Sequence, residues 1–297
     1  MCTRSQYSRL AEGHMNAATI TGTHETTSQR EEYSPISHLA HICWMSHWKE
    51  GLFGMLTVAF DASGHPTQPV LVVAGFIASV EDWILFDREW KDRLAYDGLT
   101  SFHMQSFAQS SGVYRTWKKD EARRRKLLAD LTGMIFKHAQ RKFGAAVVNS
   151  DLIALIDDDA RKAFALSAYG IAGRGAAGNV DEWTKENPAE RAVRYVFEDG
   201  DFNKGDLMRR MKEDGFATPI FEPKTDRPGR NGIPVPGFTP LQAADILAYE
   251  YMLAVERERD PKFPTSRWGH VRFDEMPGDI GKFTVQDIGR IGGHFAK

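Results

Sequence analysis

The sequence predicts an α/β fold in which a mixed sheet of about five strands is flanked by helices. The first two apolar segments, Met55–Asp61 and Val70–Phe76, are separated by a turn that contains Gly64 and Pro66, which predicts a β-hairpin. After this hairpin, segments with strand composition alternate with segments of helical periodicity. Since a hairpin gives antiparallel neighbours and alternating units give parallel ones, we expect a mixed sheet with helices on its faces.

The composition is that of an ordinary globular protein. The chain has 297 residues, 42% of them hydrophobic and 26% charged, which is enough to bury a full core. A net charge of −2 excludes a globally basic nucleic-acid coat but allows a local basic groove. The two cysteines both lie near the N-terminus, so disulfides do not hold the core, and no apolar run approaches the roughly 20 residues of a membrane span. We therefore predict a cytoplasmic protein without a membrane partner.

The first 50 residues predict a disordered N-terminal extension. Residues 1–38 are rich in Ser, Thr, His, Glu and Gln and show neither helical nor strand periodicity, whereas His38–Trp48 is more apolar and is compatible with a short helix. The periodic segments begin close to Met55. We therefore assign residues 51–297 to a single domain.

The remaining elements follow from apolar periodicity and end signals. Ser79 predicts the N-cap of a helix to about Tyr96, whose apolar stripe indicates core packing. Further along the chain the predicted strands are Phe143–Asn149, Val193–Glu198 and Thr218–Glu222, and the predicted helices are Leu152–Ala172, a segment near Trp183, and Lys204–Glu213.

A basic helix is predicted from Lys119 to Lys142. Its cations Arg123, Lys126, Lys137 and Arg141 lie mostly away from the apolar stripe. Such a face can follow a phosphate backbone, or it can simply be solvated.

The last long helix begins at Thr239. Thr239 predicts the N-cap, Pro240 suits the first helical position, and Gln242 stands where a capping box has its second member. Asp245 lies among Ala, Ile and Leu residues, where an ionised carboxylate is costly without a partner. That partner is either a divalent metal ion shared with Asp61 and Glu198, or an arginine or backbone donor.

Two motif matches fail in their context. Residues 173–178 match the glycine pattern of dinucleotide-binding folds, but a helix precedes them instead of a strand. Asp199, Asp201 and Asn203 have calcium-loop spacing, but Lys204 stands where that loop requires glycine. The sequence contains no phosphate-binding loop, so we expect no nucleotide cofactor. The Pro- and Gly-rich stretch Lys224–Pro236 predicts a mobile loop.

Three acids suggest a metal centre. Asp61 and Glu198 each end a predicted strand, and parallel neighbouring strands would bring them to one edge, where the helix can add Asp245. An all-oxygen site suits Mg²⁺ or Mn²⁺. Two such ions held about 4 Å apart can activate water and stabilise the leaving oxygen of a phosphodiester. His103 is either an outer ligand or proton shuttle, or a structural residue.

The ordered motifs resemble domain-of-unknown-function family 3800. The likeness covers roughly Met55 to Glu258 and lies in four short segments: residues 60–64, 102–104, 197–201 and 241–245. It implies a ribonuclease-H-like fold, a metal-dependent nuclease with Asp61, Glu198 and Asp245 at its acidic positions, and a mobile-element or phage-defence setting. Many members carry Glu directly after the first Asp, where this chain has Ala62.

The sequence therefore predicts a Mg²⁺- or Mn²⁺-dependent nuclease that acts on DNA or RNA. The alternative suggested by Ala62 is a degenerate module on the same fold that binds nucleic acid or protein without cleaving it. A third interpretation makes the acids structural only.

Overall fold

A computed structural model describes residues 56–187, 193–229, 232–263 and 273–295 of the chain. All of these residues belong to one compact unit. The predicted extension over residues 1–50 lies outside the described part, as does Met55 at the start of the first predicted strand.

The described residues form one six-stranded mixed sheet. Its strands are β1 (Leu56–Ser63), β2 (Val70–Ser79), β3 (Arg141–Val148), β4 (Val193–Glu198), β5 (Ile220–Glu222) and β6 (Gly278–Lys282). The spatial order is β5-β4-β1-β2-β3-β6. The central strand pairs β1–β2 and β2–β3 are antiparallel, whereas β1–β4, β4–β5 and β3–β6 are parallel. The predicted hairpin and mixed sheet are confirmed, and β6 adds an edge strand to the predicted five.

Nine α-helices are present in the part of the chain that the structure describes. They are α1 (Val80–Tyr96), α2 (Met104–Gln109), α3 (Glu121–His138), α4 (Asn149–Leu155), α5 (Asp158–Ala163), α6 (Ala168–Glu186), α7 (Lys204–Glu213), α8 (Pro240–Arg259) and α9 (Val285–Phe295). In the same described residues every helix is too short or too polar to span a bilayer.

The pleat of the sheet divides the core into two layers. On β1, Val58 and Phe60 pack against α6 and α7, whereas Ala59 faces the opposite layer, which contains α1, α3 and α8. The predicted apolar stripe of α1 is buried in that second layer, as Trp83, Phe86 and Trp90 are all at most 1% exposed. Ser79 caps α1 by accepting a hydrogen bond from the Asp82 N–H, as predicted.

The predicted helix Leu152–Ala172 is wrong, because two further caps divide it. Asp157 accepts from the Ala160 N–H and begins α5, and Ser167 accepts from the Gly170 N–H and begins α6. Such side-chain acceptors satisfy the free donors of a new first turn.

The glycine-rich residues 173–178 lie inside α6 and do not separate two helices. A Cβ on Gly173 would lie 2.7 Å from Leu207, and one on Gly175 would lie 2.7 Å from Phe283. These glycines therefore let α7 and the C-terminal segment pack close to α6. The sequence predicted a break here because glycine has a low helix propensity.

The basic helix is shorter than predicted and its cations are paired. It occupies Glu121–His138, and the residues from Arg141 onward belong to β3. Salt bridges join Arg123 to Asp97 at 2.8 Å and Lys126 to Asp130 at 3.1 Å, and Lys137 to Glu89. Because acidic neighbours already neutralise these cations, the solvated interpretation of this face is the better one.

Candidate metal centre

The register of β1 and β4 brings the first two predicted acids together. Phe60 pairs with Phe197 across the parallel strands, so Asp61 and Glu198, the next residue of each strand, lie side by side at the same edge. Alternation puts both on the face of Ala59 and Val196, which is the face that α8 covers. Asp61 is fully buried, whereas 21% of the Glu198 side chain is exposed.

Helix α8 supplies Asp245 from above this edge. Its Oδ2 accepts a hydrogen bond of 2.6 Å from the Met104 N–H at the start of α2. The side chain is 7% exposed. A backbone N–H therefore satisfies part of this buried carboxylate, which agrees with the predicted alternative of a backbone donor for Asp245.

The predicted capping box of α8 is wrong. Thr239 makes no side-chain cap and instead donates to Oδ1 of Asp87 at 2.7 Å. The amide of Gln242 is buried and works across the fold: its Oε1 accepts from Phe102 N and from Trp90 Nε1, at 2.7 and 3.0 Å. Partners in α1 and before α2 replace the local cap because Gln242 points into the core.

A lysine ammonium group lies among the three predicted acids. Nζ of Lys224 is 2.7 Å from Asp61 Oδ2, 3.1 Å from Glu198 Oε2 and 3.6 Å from Asp245 Oδ1. The convergence that the sequence predicts is therefore present in the structure. The cation at its centre is one that the sequence interpretation missed.

Lys224 belongs to a fixed part of its loop. Its side chain is 9% exposed, and its backbone oxygen accepts a hydrogen bond of 2.9 Å from Gln242 Nε2. The next turn is closed by an antiparallel bridge between Arg227 and Val235. The prediction of a mobile loop over Lys224–Pro236 is thus wrong for its first residue, since buried partners hold both the backbone and the ammonium group.

A fourth acid, Asp201, completes the cluster. Oxygen atoms of Asp61, Glu198 and Asp201 all lie within 4.8 Å of one another. Oδ2 of Asp201 is buried and makes no hydrogen bond of normal geometry, although the Tyr169 hydroxyl interacts with this carboxyl group. The hydroxyl of Tyr169 on α6 is also buried without a hydrogen bond of normal geometry. Its pKa is raised by burial and by the negative charge of the neighbouring Asp201.

The electrostatics of this cluster favour protons or cations. Burial, together with the charge of Asp61, raises the pKa of Glu198 to about 9 and that of Asp201 to about 7. Burial also raises the pKa of Asp245, although Lys224 opposes this. Burial lowers the pKa of Lys224, but the three carboxylates outweigh it and hold the pKa above its ordinary value. Negative charge beyond what one ammonium can balance is therefore concentrated here.

The donor set fits a small divalent ion. Asp61, Glu198 and Asp201 offer carboxylate oxygens only, which is the chemistry that Mg²⁺ and Mn²⁺ prefer. Oδ2 of Asp201 is a buried acceptor without a hydrogen bond of normal geometry, and a metal ligand bond would satisfy it. Asp245 is not in this close set, because its oxygens are directed to Met104 and Lys224.

His103 lies beside the centre as a helix cap. Its ring nitrogen accepts from the Ser106 N–H and begins α2, which puts Met104 under Asp245. The ring is half-buried, and its charge when protonated would favour ionised Asp245. The structure thus gives His103 a structural contact and leaves its predicted role as an outer ligand or proton shuttle as a proposal.

The two missed residues differ in how visible they were. Asp201 follows the β4 strand by three positions and carried a signal that calcium-loop spacing obscured. Lys224 carried none, because a lysine in a Pro-rich stretch resembles a solvated loop residue until its tertiary partners are known.

The chain matches no known family model, no curated protein sequence and no solved structure at a significant level.

Proposed function

We propose that the protein is a metal-dependent phosphodiesterase that cleaves nucleic acid. The observation that carries this proposal is the meeting of Asp61, Glu198 and Asp201 at one sheet edge, with Lys224 and Asp245 beside them. Like charges are gathered there at a cost in the absence of a cation, which is a feature of sites that bind one. The acids come from β1, from β4 and from the turn after it.

The topology supports a ribonuclease-H-like assignment. Three antiparallel strands, β3-β2-β1, continue into two parallel ones, β4 and β5. In this proposal the fold puts one acid at the end of the first strand and a second on the neighbouring fourth strand. The resemblance to family 3800 predicts the same order of acidic motifs, and a nuclease follows from the two together.

The chain's own groups would share the work as follows. Asp61, Glu198 and Asp201 would hold Mg²⁺ or Mn²⁺, which supplies a polarised water and charge stabilisation at the phosphate. Asp245 holds Lys224 and the start of α2, so it positions the centre. Lys224 would place a fixed positive charge beside the phosphate, where an ammonium acts as a point charge.

The surroundings of the edge support a nucleic-acid substrate. Phe202, the residue after Asp201, is 62% exposed and contacts the His65 ring edge-to-face at 4.7 Å. Exposed aromatic rings can stack on bases. Lys204 and Arg227 flank the same turn, each 2.8 Å from Asp199. Like the cations of α3, these two are already paired with a carboxylate, so the exposed ring of Phe202 is the feature of this edge that favours nucleic acid.

A cleavage assay tests the proposal. The protein is incubated with single- and double-stranded DNA and RNA, with Mn²⁺ or with EDTA, beside the Asp61→Asn variant. Asp199→Asn is the matched control, since Asp199 lies next to Glu198 but binds surface cations. We expect Mn²⁺-dependent products from the wild type and the control and none from Asp61→Asn. Equal products from all three proteins would show that the activity comes from elsewhere.

A second candidate is a binding module that has lost catalysis. Two observations favour it: Ala62 stands where related motifs carry Glu, and Lys224 already neutralises part of the cluster. In that case the protein would retain nucleic acid on a filter or gel without Mn²⁺, and Asp61→Asn would bind it as well as the wild type. Uptake of Mn²⁺ that is lost in Asp61→Asn would contradict this candidate.

A further inference from the structure

We infer that the centre takes one divalent ion, held by Asp61, Glu198 and Asp201, and that the ammonium group of Lys224 permanently occupies the second cation position. This inference deepens the proposed function and depends on it. It replaces the two-metal arrangement that the sequence suggested, and it makes Asp245 a partner of Lys224 instead of a metal ligand.

The carboxylates form two overlapping sets. Asp61, Glu198 and Asp201 are the three whose oxygens approach one another within 4.8 Å. The salt bridges of Lys224 are instead to Asp61, Glu198 and Asp245. Asp61 and Glu198 thus belong to both sets, while Asp201 belongs only to the first and Asp245 only to the second. A cation already fills the second set.

Hydrogen bonds hold the backbone at Lys224 in place. Its carbonyl oxygen accepts from Gln242, and the carbonyl oxygen of the preceding Pro223 accepts from the Phe238 N–H at 2.7 Å. Gln242 is in turn held by Trp90 and Phe102. Backbone bonds on both residues fix the start of the side chain, so an ion could displace the ammonium only by moving it within the core. Such a move would leave a buried charge without its partners.

The ammonium group also lies among the carboxylates that a second ion would need as ligands. Mg²⁺ requires oxygen ligands at about 2.1 Å in near-octahedral geometry. An ammonium nitrogen at 2.7 Å from Asp61 and 3.1 Å from Glu198 lies where such an ion would have to be. Asp201 lies outside the set that Lys224 satisfies but within the close set of carboxylate oxygens, so it marks the position that remains for a metal.

Counting ions on the full chain tests the inference. Calorimetric titration of the wild type with Mn²⁺ should give one ion per chain, and its electron paramagnetic resonance spectrum should be that of an isolated ion. Two ions with the spectrum of a coupled pair would overturn the inference while leaving the proposed nuclease intact. Absence of any specific Mn²⁺ uptake would overturn both.

Variants distinguish the two carboxylate sets. Asp201→Asn should weaken Mn²⁺ binding at least about 10-fold, whereas Asp245→Asn should change it by less than about 3-fold. The opposite order would place the ion between Asp61 and Asp245 and contradict the inference. These substitutions keep the size of the side chain, and far-ultraviolet circular dichroism checks that both variants fold.

Replacing the lysine gives an independent measurement. Lys224→Met should take up a second Mn²⁺ ion in the vacated position and should melt at a lower temperature than the wild type in EDTA. Lys204→Met is the matched control, because Lys204 pairs with Asp199 at the same edge but is 38% exposed. The control should bind one ion and melt as the wild type does. One ion and an unchanged melting temperature in Lys224→Met would contradict the role of Lys224, and the wild-type count decides if this variant does not fold.

Discussion

The ammonium nitrogen of Lys224 lies 2.7 Å from Oδ2 of Asp61, although 163 positions separate the two residues in the chain. Glu198 and Asp245 lie around the same nitrogen. One buried cation from the loop before α8 thus links the end of β1, the end of β4 and α8 itself. The remaining negative charge, with Asp201 at its edge, is what a divalent ion would balance.

Substitutions of Asp245 distinguish a functional role of the acids from a structural one. In EDTA, we expect Asp245→Asn to melt at the wild-type temperature or above, because an amide oxygen can still accept from the Met104 N–H and burial favours a neutral group here. Asp245→Ala should lose about 1–3 kcal/mol, since that N–H is left unpaired. Thermal melts followed by circular dichroism measure both. If the Asn variant melts as low as the Ala variant, the charge of Asp245 stabilises the fold, and this result would favour the structural interpretation of the acids.

Glu198 should make the metal-free protein less stable as the pH rises. Its pKa is raised from 4.5 to about 9 in the folded state, so the folded protein binds more protons than the unfolded chain between those values. The free energy of unfolding therefore falls as the pH rises across that window, and it is highest at the acid end. The pKa of Asp201 is raised to about 7, so this residue makes the fall in stability steeper in the lower part of the same pH window.

Urea unfolding in EDTA at several pH values between about 5 and about 9 measures this slope. Glu198→Gln should flatten it, and Glu213→Gln, which changes an exposed carboxylate paired with Arg209, should leave it as in the wild type. Mn²⁺ affinity should rise over the same window, because ligand carboxylates must lose their protons. A stability that increases with pH in the metal-free wild type would contradict the assignment of a self-repelling cluster.

Gln242 should affect the metal centre without touching the acids. Gln242→Leu leaves the Trp90 Nε1–H, the Phe102 N–H and the Lys224 carbonyl without partners, which should cost at least about 3 kcal/mol in the free energy of unfolding. Because Lys224 then loses its backbone anchor, Mn²⁺ affinity should change as well. Gln105→Leu on the exposed side of α2 is the control. A stable Gln242→Leu protein with wild-type Mn²⁺ affinity would show that the network does not position Lys224.

Local signals made five of the six described strands and three of the acids predictable. Asp61 and Glu198 each follow an apolar run of strand length, and strand alternation fixes which way both point. Asp245 was visible because a carboxylate in an alanine-rich helix is costly. Each of these inferences needs only neighbours in the sequence and the two elementary periodicities.

The rest depends on partners far away in the chain. Strand β6, with the sequence Gly-Asp-Ile-Gly-Lys, has no apolar alternation and forms because β3 offers it a parallel edge. Lys224 is buried because Gln242 and three acids surround it, and none of these is within ten residues of it. The side chain of Thr239 likewise bonds to Asp87 and does not cap α8, and no local pattern relates these two residues.

A crystal structure of the protein soaked in Mn²⁺, recorded at a wavelength where manganese scatters anomalously, tests the account most directly. We predict one anomalous peak bounded by Asp61, Glu198 and Asp201, with Nζ of Lys224 still in contact with Asp61 and Asp245. An ion between Asp61 and Asp245 with Lys224 displaced, or no peak at this edge of the sheet, would contradict it.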